Sequence, residues 1–171
     1  MTKLLYSLLF VSLTSVVSFA QCNQVVRQAD KQGDKVTVRS TSTGDYWTEP
    51  VQYKQVKEKG GTRFYVQLYT LGGSFIDQKG ATIFFTDGTV LEWPQARVKA
   101  GFKGKAHVSQ CSLKLTEDEI GQFQEKKIIS LTLSAQERSL SWAQSQRAQD
   151  IINCVLYADY CDIKSDKLVN Q

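Results

Sequence analysis

Histidine is nearly missing from this chain: His107 is the only one in 171 residues. A lone imidazole cannot complete a Cys/His zinc set. The four cysteines, Cys22, Cys111, Cys154 and Cys161, contain no CxxC pair, and Cys154 and Cys161 stand too far apart for a zinc knuckle. No GxSxG elbow is present, so His107 has no serine nucleophile to serve. Runs of five or six like charges are also lacking, which argues against a nucleic-acid surface or a polybasic membrane segment. No internal repeat or low-complexity tract is visible, and no motif calls for a cofactor or a metal ion. Long apolar runs are absent with one exception, and that exception lies at the N-terminus.

There, Lys3 is the only charge among the first twenty residues. It precedes Leu4-Leu5-Tyr6-Ser7-Leu8-Leu9-Phe10-Val11, then Leu13 and Val16-Val17, and the stretch closes on Ser18-Phe19-Ala20. A charged start, an apolar middle and a small-x-small end predict a signal peptide over residues 1–20, cleaved after Ala20. A membrane-spanning helix needs roughly 20 apolar residues; this run is shorter and is broken by Ser7, Ser12, Thr14 and Ser15. Cys22 raises the question of a lipid anchor, but Gln21 stands where a lipidated cysteine is preceded by a small residue. The expected location is therefore secreted or periplasmic, without a transmembrane span once the signal is removed. Removal takes one lysine with it, leaving 20 basic and 17 acidic residues, a modest excess spread along the chain. The remaining length fits a single β-rich domain over 21–161 with a flexible tail over 162–171. In an oxidising compartment four cysteines read as two disulfides, with three connectivities open.

The segments that follow read mostly as strands. Lys35-Val36-Thr37-Val38-Arg39 alternates with β-branched residues, and Val51 to Val56 alternates around Tyr53. Ser40 to Asp45 and Lys57 to Gly61 read as polar turns. Phe64, Val66 and Leu68 point one way while Tyr65, Gln67 and Tyr69 point the other. Thr82–Phe85 and Val90–Trp93 flank Thr86-Asp87-Gly88-Thr89, where Asp-Gly supplies the positive φ of a tight hairpin. Pro94 is expected to end the second strand, and Lys99 to Lys105 to form a loop or an irregular hairpin. His107 to Leu115 is another strand, with Cys111, Leu113 and Leu115 on one face. Thr116-Glu117-Asp118-Glu119 is a capping box opening a short helix to about Glu125. Ile129, Leu131 and Leu133 alternate again. Ala148, Ile151, Ile152, Val155 and Leu156 form the apolar stripe of a terminal helix. Both Ser134-Ala135-Gln136-Glu137 and Ser141-Trp142-Ala143-Gln144 fit its start; Ser141 is preferred because it lets the preceding strand run longer. The pattern predicts a mainly β (α+β) fold: an antiparallel sheet or sandwich with a short helix and a C-terminal helix.

Candidate chemistry is thin. Glu117, Asp118 and Glu119 are consecutive, but acidic residues suit the first turn of a helix for dipole reasons alone. Asp87 is accounted for by its turn, and the cysteines by cross-linking. The aromatics are less ordinary. Tyr46, Trp47 and Tyr53 lie near a polar loop and are candidate ligand contacts, able to stack on sugar rings or anchor a protein partner; Tyr65 and Tyr69 share one strand face.

Several segments together carry a resemblance. The ending Ser-Phe-Ala-Gln-Cys, Ile83-Phe84-Phe85-Thr86-Asp87-Gly88-Thr89, Leu113-Lys114-Leu115-Thr116-Glu117-Asp118-Glu119-Ile120, Lys126-Lys127-Ile128-Ile129 and Ile152-Asn153-Cys154 occur in this order. In this the chain resembles a group of small secreted Bacteroidota proteins of uncharacterised function, over most of the part after the signal. The resemblance implies that a cysteine just after the signal pairs with one ending the last helix, hence Cys22–Cys154, which leaves Cys111–Cys161 as a second pair. It carries no catalytic residues across. The expectation for function is a secreted or periplasmic, non-enzymatic binding or structural module with a protein or glycan partner and no nucleic acid. The alternatives are a hydrolase using only carboxylates, or a periplasmic enzyme inhibitor presenting a loop such as Ser40–Trp47 or Lys99–Lys105.

Overall fold

A computed structural model describes residues 19–41, 49–72, 78–103 and 106–159. Tyr46, Trp47, Cys161, most of the expected signal peptide and the expected tail lie outside these residues. The chain enters through a 3-10 turn, Phe19–Gln24, and continues into β1 (Val25–Ala29), β2 (Lys35–Ser40), β3 (Val51–Glu58), β4 (Gly61–Leu71), β5 (Gln78–Phe85), β6 (Val90–Lys103) and β7 (Ala106–Leu115). Helix α1 (Glu117–Glu125), β8 (Ile128–Leu133), β9 (Gln136–Ser139) and α2 (Trp142–Leu156) follow. All nine strands join one antiparallel sheet in the order β1-β2-β3-β4-β7-β6-β5-β8-β9.

The sheet folds on itself at β6. Its first part pairs with β5 and its last part, Lys99–Lys103, with β7. Between Lys79↔Arg97 and Ala81↔Trp93 the register shifts, so that Pro94, Gln95 and Ala96 stand opposite Gly80 alone. A bulge of this kind bends a strand, and a proline fits there because it owes the ladder no donor. Pro94 therefore marks a corner rather than the end of the strand, and Lys99–Lys103 pair with β7, the hairpin rather than the loop of the two expected forms. The fold brings β8 and β9 back against β4: a Cβ added to Gly72, which ends β4 with φ +81°, would lie 3.1 Å from Gln136 Oε1.

The inner faces of the two halves meet in one core. Val38, Tyr53, Val66 and Leu68 come from one half and Ile83, Phe85, Leu131 and Leu133 from the other, all nearly fully buried. Phe123 of α1 joins the two, with its ring edge-on to Tyr53 at 5.9 Å and to Phe85 at 5.7 Å. Helix α2 lays Ala148, Ile151, Ile152 and Val155 on the same core. Both expected capping boxes are made, Thr116 with Glu119 and Ser141 with Gln144. Ser134-Ala135 instead forms the turn between β8 and β9, with Ser134 at φ 56°. The Asp-Gly turn places only Gly88 at positive φ (83°), and Thr89 donates its N–H to Asp87 Oδ1 at 2.9 Å. This is a three-residue loop, Thr86–Gly88, closed by Phe85 N–H to Thr89 O at 3.0 Å.

Cys22 and Cys154 are joined by a disulfide, Cα to Cα 5.4 Å, binding the entry turn to α2. Cys111 is a free thiol among the core side chains, 3 % exposed. The second bridge expected for it is not formed. Cys111 faces inward beside Leu113 and Leu115, where any partner would have to enter the core. Ile129 is another correction. It faces solvent while Ile128, Leu131 and Leu133 face inward, because the β5–β8 register shifts at Phe84/Phe85.

Candidate functional site

Strand pairing decides which side chains share a surface, since directly opposed residues project from the same face. On the half-sheet β1-β2-β3-β4-β7-β6, the face turned away from the core carries three adjoining rows. Arg39, Lys54, Tyr65 and Lys114 form one, by the pairs Arg39↔Lys54, Lys54↔Tyr65 and Tyr65↔Lys114. Gln52, Gln67 and Ser112 form the next. Tyr69, Gln110 and Lys99 form the third, with Arg97 two residues before Lys99 on β6. Towards the end of β2–β3–β4 the same face bears Lys35, Arg63 and Glu58.

Seven basic side chains and one acidic side chain thus share this face among the described residues, and the acid, Glu58, is already paired with Arg63. Seven against one leaves these described residues of the face with a positive excess of six. Lys54 and Lys114 are two strands apart, about 10 Å by strand spacing, at which two like charges in water repel by about 0.4 kcal/mol. Any single pair is weak, but the sum over the face favours an anion lying on it. The Debye length at physiological ionic strength, about 8 Å, requires that anion to be in contact rather than distant.

The face also has relief and hydrogen-bonding capacity. A groove of about 290 Å³ is lined by Gln67, Tyr69, Arg97, Lys99, Gln110 and Ser112, with Cys111 beneath. Tyr69, 4 % exposed, holds its Oη 3.4 Å from both Gln52 Oε1 and Gln67 Oε1. Gln52 is 7 % exposed, and its Nε2 is buried with no hydrogen-bond acceptor. Tyr65 lies half-buried between Lys54 and Lys114, a ring placed beside two cations.

A larger groove of about 450 Å³ runs beside the first turns of α2, between Asn23, Gln24, Trp142, Gln146, Arg147 and Asp150. Trp142 is 72 % exposed there, with Lys127 Nζ 5.1 Å from its ring centre. Charges of both signs line it, and Arg147 lies 4.0 Å from the buried Glu49 carboxylate. Among the described residues, Asp150 is the only carboxylate lining the larger groove, and none lines the smaller.

Of the candidate ligand contacts, Tyr46 and Trp47 fall outside the described residues. Tyr53 is not a surface contact: it points into the core, 1 % exposed, and burial pushes its phenol far above the usual range. Its nearness to a polar loop suggested exposure, but strand alternation gives the outer side to Gln52 and Lys54. The acidic residues of α1 act locally: Glu119 closes the capping box and accepts a hydrogen bond from Trp93 Nε1 at 3.0 Å. His107 packs against Phe102, centroids 4.0 Å apart, on the β6–β7 hairpin. Among the described residues no three of His, Cys, Asp or Glu converge as a metal set.

Fold and face together define a mainly antiparallel β domain, closed by one disulfide and presenting a cationic, amide-lined sheet surface. No protein-family model matches the chain, and no curated protein or solved structure matches it.

Proposed function

We propose that this chain is an exported, non-enzymatic binding module, secreted or periplasmic, that holds its ligand on the outer face of β2, β3, β4, β7 and β6. The observation that carries the reading is the concentration of basic side chains around the row Gln52–Gln67–Ser112. Export is supported by the N-terminal pattern ending Ser18-Phe19-Ala20 and by the Cys22–Cys154 bridge, which suits an oxidising compartment. A binding role is favoured over carboxylate-based hydrolysis because, among the described residues, neither groove is lined by the two carboxylates that such a mechanism uses. Co-purification from the native envelope tests the reading. A partner retained by the wild-type protein and lost on the double reversal Lys54→Glu/Lys99→Glu supports it. Hydrolytic turnover in a broad screen, or a partner indifferent to that reversal, overturns it.

A further inference from the structure

We infer that the ligand of the outer sheet face is an acidic polysaccharide, a sugar chain bearing carboxylates or sulfates, laid across the strands. This rests on the binding-module reading and names its ligand class. The sign of charge requires an anion, but the arrangement says more than the sign. The cations do not converge on one point as they would around a single phosphate. Lys54 and Lys114 flank Tyr65 in one row, while Arg97 and Lys99 stand beyond a neutral row of carboxamides and a hydroxyl. A polymer with an anionic group at intervals and hydroxyls between them matches that alternation. Each carboxamide offers a donor beside an acceptor, the pairing that adjacent sugar hydroxyls use. Gln67 and Gln110 line the groove itself and are the carboxamides placed to meet such a partner. Tyr65 supplies a ring on which a sugar can stack.

The competing occupants fit less well. Protein interfaces are anchored by large side chains that bury in pockets on the partner. Among the described residues the exposed large apolar side chains are Val90, Phe102, Ile129, Trp142 and Tyr157, none of which lies among the three rows. Among the described residues an anionic membrane would meet no exposed large apolar side chain on this face, and a single-stranded nucleic acid would find Tyr65 half-buried and Tyr69 buried instead of a series of open stacking platforms.

The test uses the full, oxidised chain and calorimetric titration. Polygalacturonate and dextran sulfate serve as the carboxylated and sulfated probes, and neutral dextran, a 20-nucleotide single-stranded DNA and vesicles containing phosphatidylglycerol as the others. We expect one or both acidic glycans to bind, weakening as salt rises, and neutral dextran not to bind. Lys54→Glu/Lys114→Glu should weaken binding at least tenfold, whereas Lys127→Glu, beside Trp142, should leave it within twofold. Gln67→Met keeps the charge and removes the amide, and should still weaken binding severalfold; a purely electrostatic surface would not notice it. Circular dichroism confirms that each variant folds, and if Gln67→Met does not, Ser112→Ala probes the same row. Stronger binding to the oligonucleotide, the vesicles or neutral dextran overturns the ligand class while leaving a binding face. Binding of acidic glycans that ignores Lys54→Glu/Lys114→Glu overturns the site. If no probe binds and the envelope partner is a protein held by this face, the glycan assignment is wrong and the binding-module reading survives.

Discussion

Two residues show how far a local environment departs from what residue type suggests. Cys111 belongs to a class expected to be bridged in an exported protein, yet its thiol is free and packed in the core. Burial pushes that thiol up to about 11 from an ordinary value near 9. A group whose folded pKa is raised stabilises the fold fully below the unfolded value and loses that contribution as pH climbs through the folded one. Wild-type protein should therefore lose stability between about pH 9 and 11 more steeply than Cys111→Ala, read as the difference between their denaturation midpoints across that window. At pH 8 the thiol should react with a maleimide only on unfolding; rapid labelling of the native protein would contradict the burial. Ser134 is the second case, the only described non-glycine residue with positive φ. A β-branched side chain tolerates that backbone poorly, so Ser134→Val should cost about 1–2 kcal/mol in urea unfolding, while Ser134→Gly should cost nothing comparable.

At the scale of elements, α1 is short but structurally central. Its apolar contribution is essentially Phe123, which touches Tyr53 from one half of the sheet and Phe85 from the other. Phe123→Ala should cost about 3–5 kcal/mol, whereas loss of the cap in Thr116→Ala should cost about 1 kcal/mol. Both are measurable by chemical denaturation, and the inequality between them is the claim: a cap that mattered more than the ring would mean the sheet halves do not meet through α1. Most of these elements were legible in the chain, because each carries its own period or punctuation. Thr116 and Ser141 announce helix starts three residues before Glu119 and Gln144, and Val36, Val38, Phe64 and Val66 alternate plainly. Beyond the Asp-Gly hairpin, what could not be read was the pairing between strands. β1 is only five residues and β9 only four, too brief for a period of two to register. Pro94 looks like a terminator until Gly80 is known to lie opposite it. The cationic face escaped notice for the same reason. Lys54, Lys114 and Lys99 are far apart in sequence and sit at alternate strand positions, so no run of charge exists to be seen. Their convergence is a property of register alone.

At the scale of the molecule, the sheet and its two helices form one core, and the disulfide spans nearly all of it, joining residues 132 apart in sequence. In the chain-entropy model a closure of that length removes about 5 kcal/mol of freedom from the unfolded state. Reduction, or Cys22→Ala/Cys154→Ala, should lower the unfolding free energy by about that amount less any compensation in the native state. The change should appear in the denaturation midpoint, with the far-ultraviolet spectrum of the folded protein retained. A midpoint unchanged by reductant would show that the bridge adds nothing to a core already complete. The same span has a consequence in time. As the chain emerges in order of synthesis, Cys22 appears near the start and its partner Cys154 only with the last helix, while Cys111 becomes available in between. For that interval the wrong thiol is the nearer one. What withdraws it is the pairing of β7 with β4, which turns Cys111 towards the core opposite Leu68. We expect the sheet to assemble ahead of the cross-link that secures it, so that order of folding chooses the partner; a Cys22–Cys111 species dominating early oxidative refolding would contradict this.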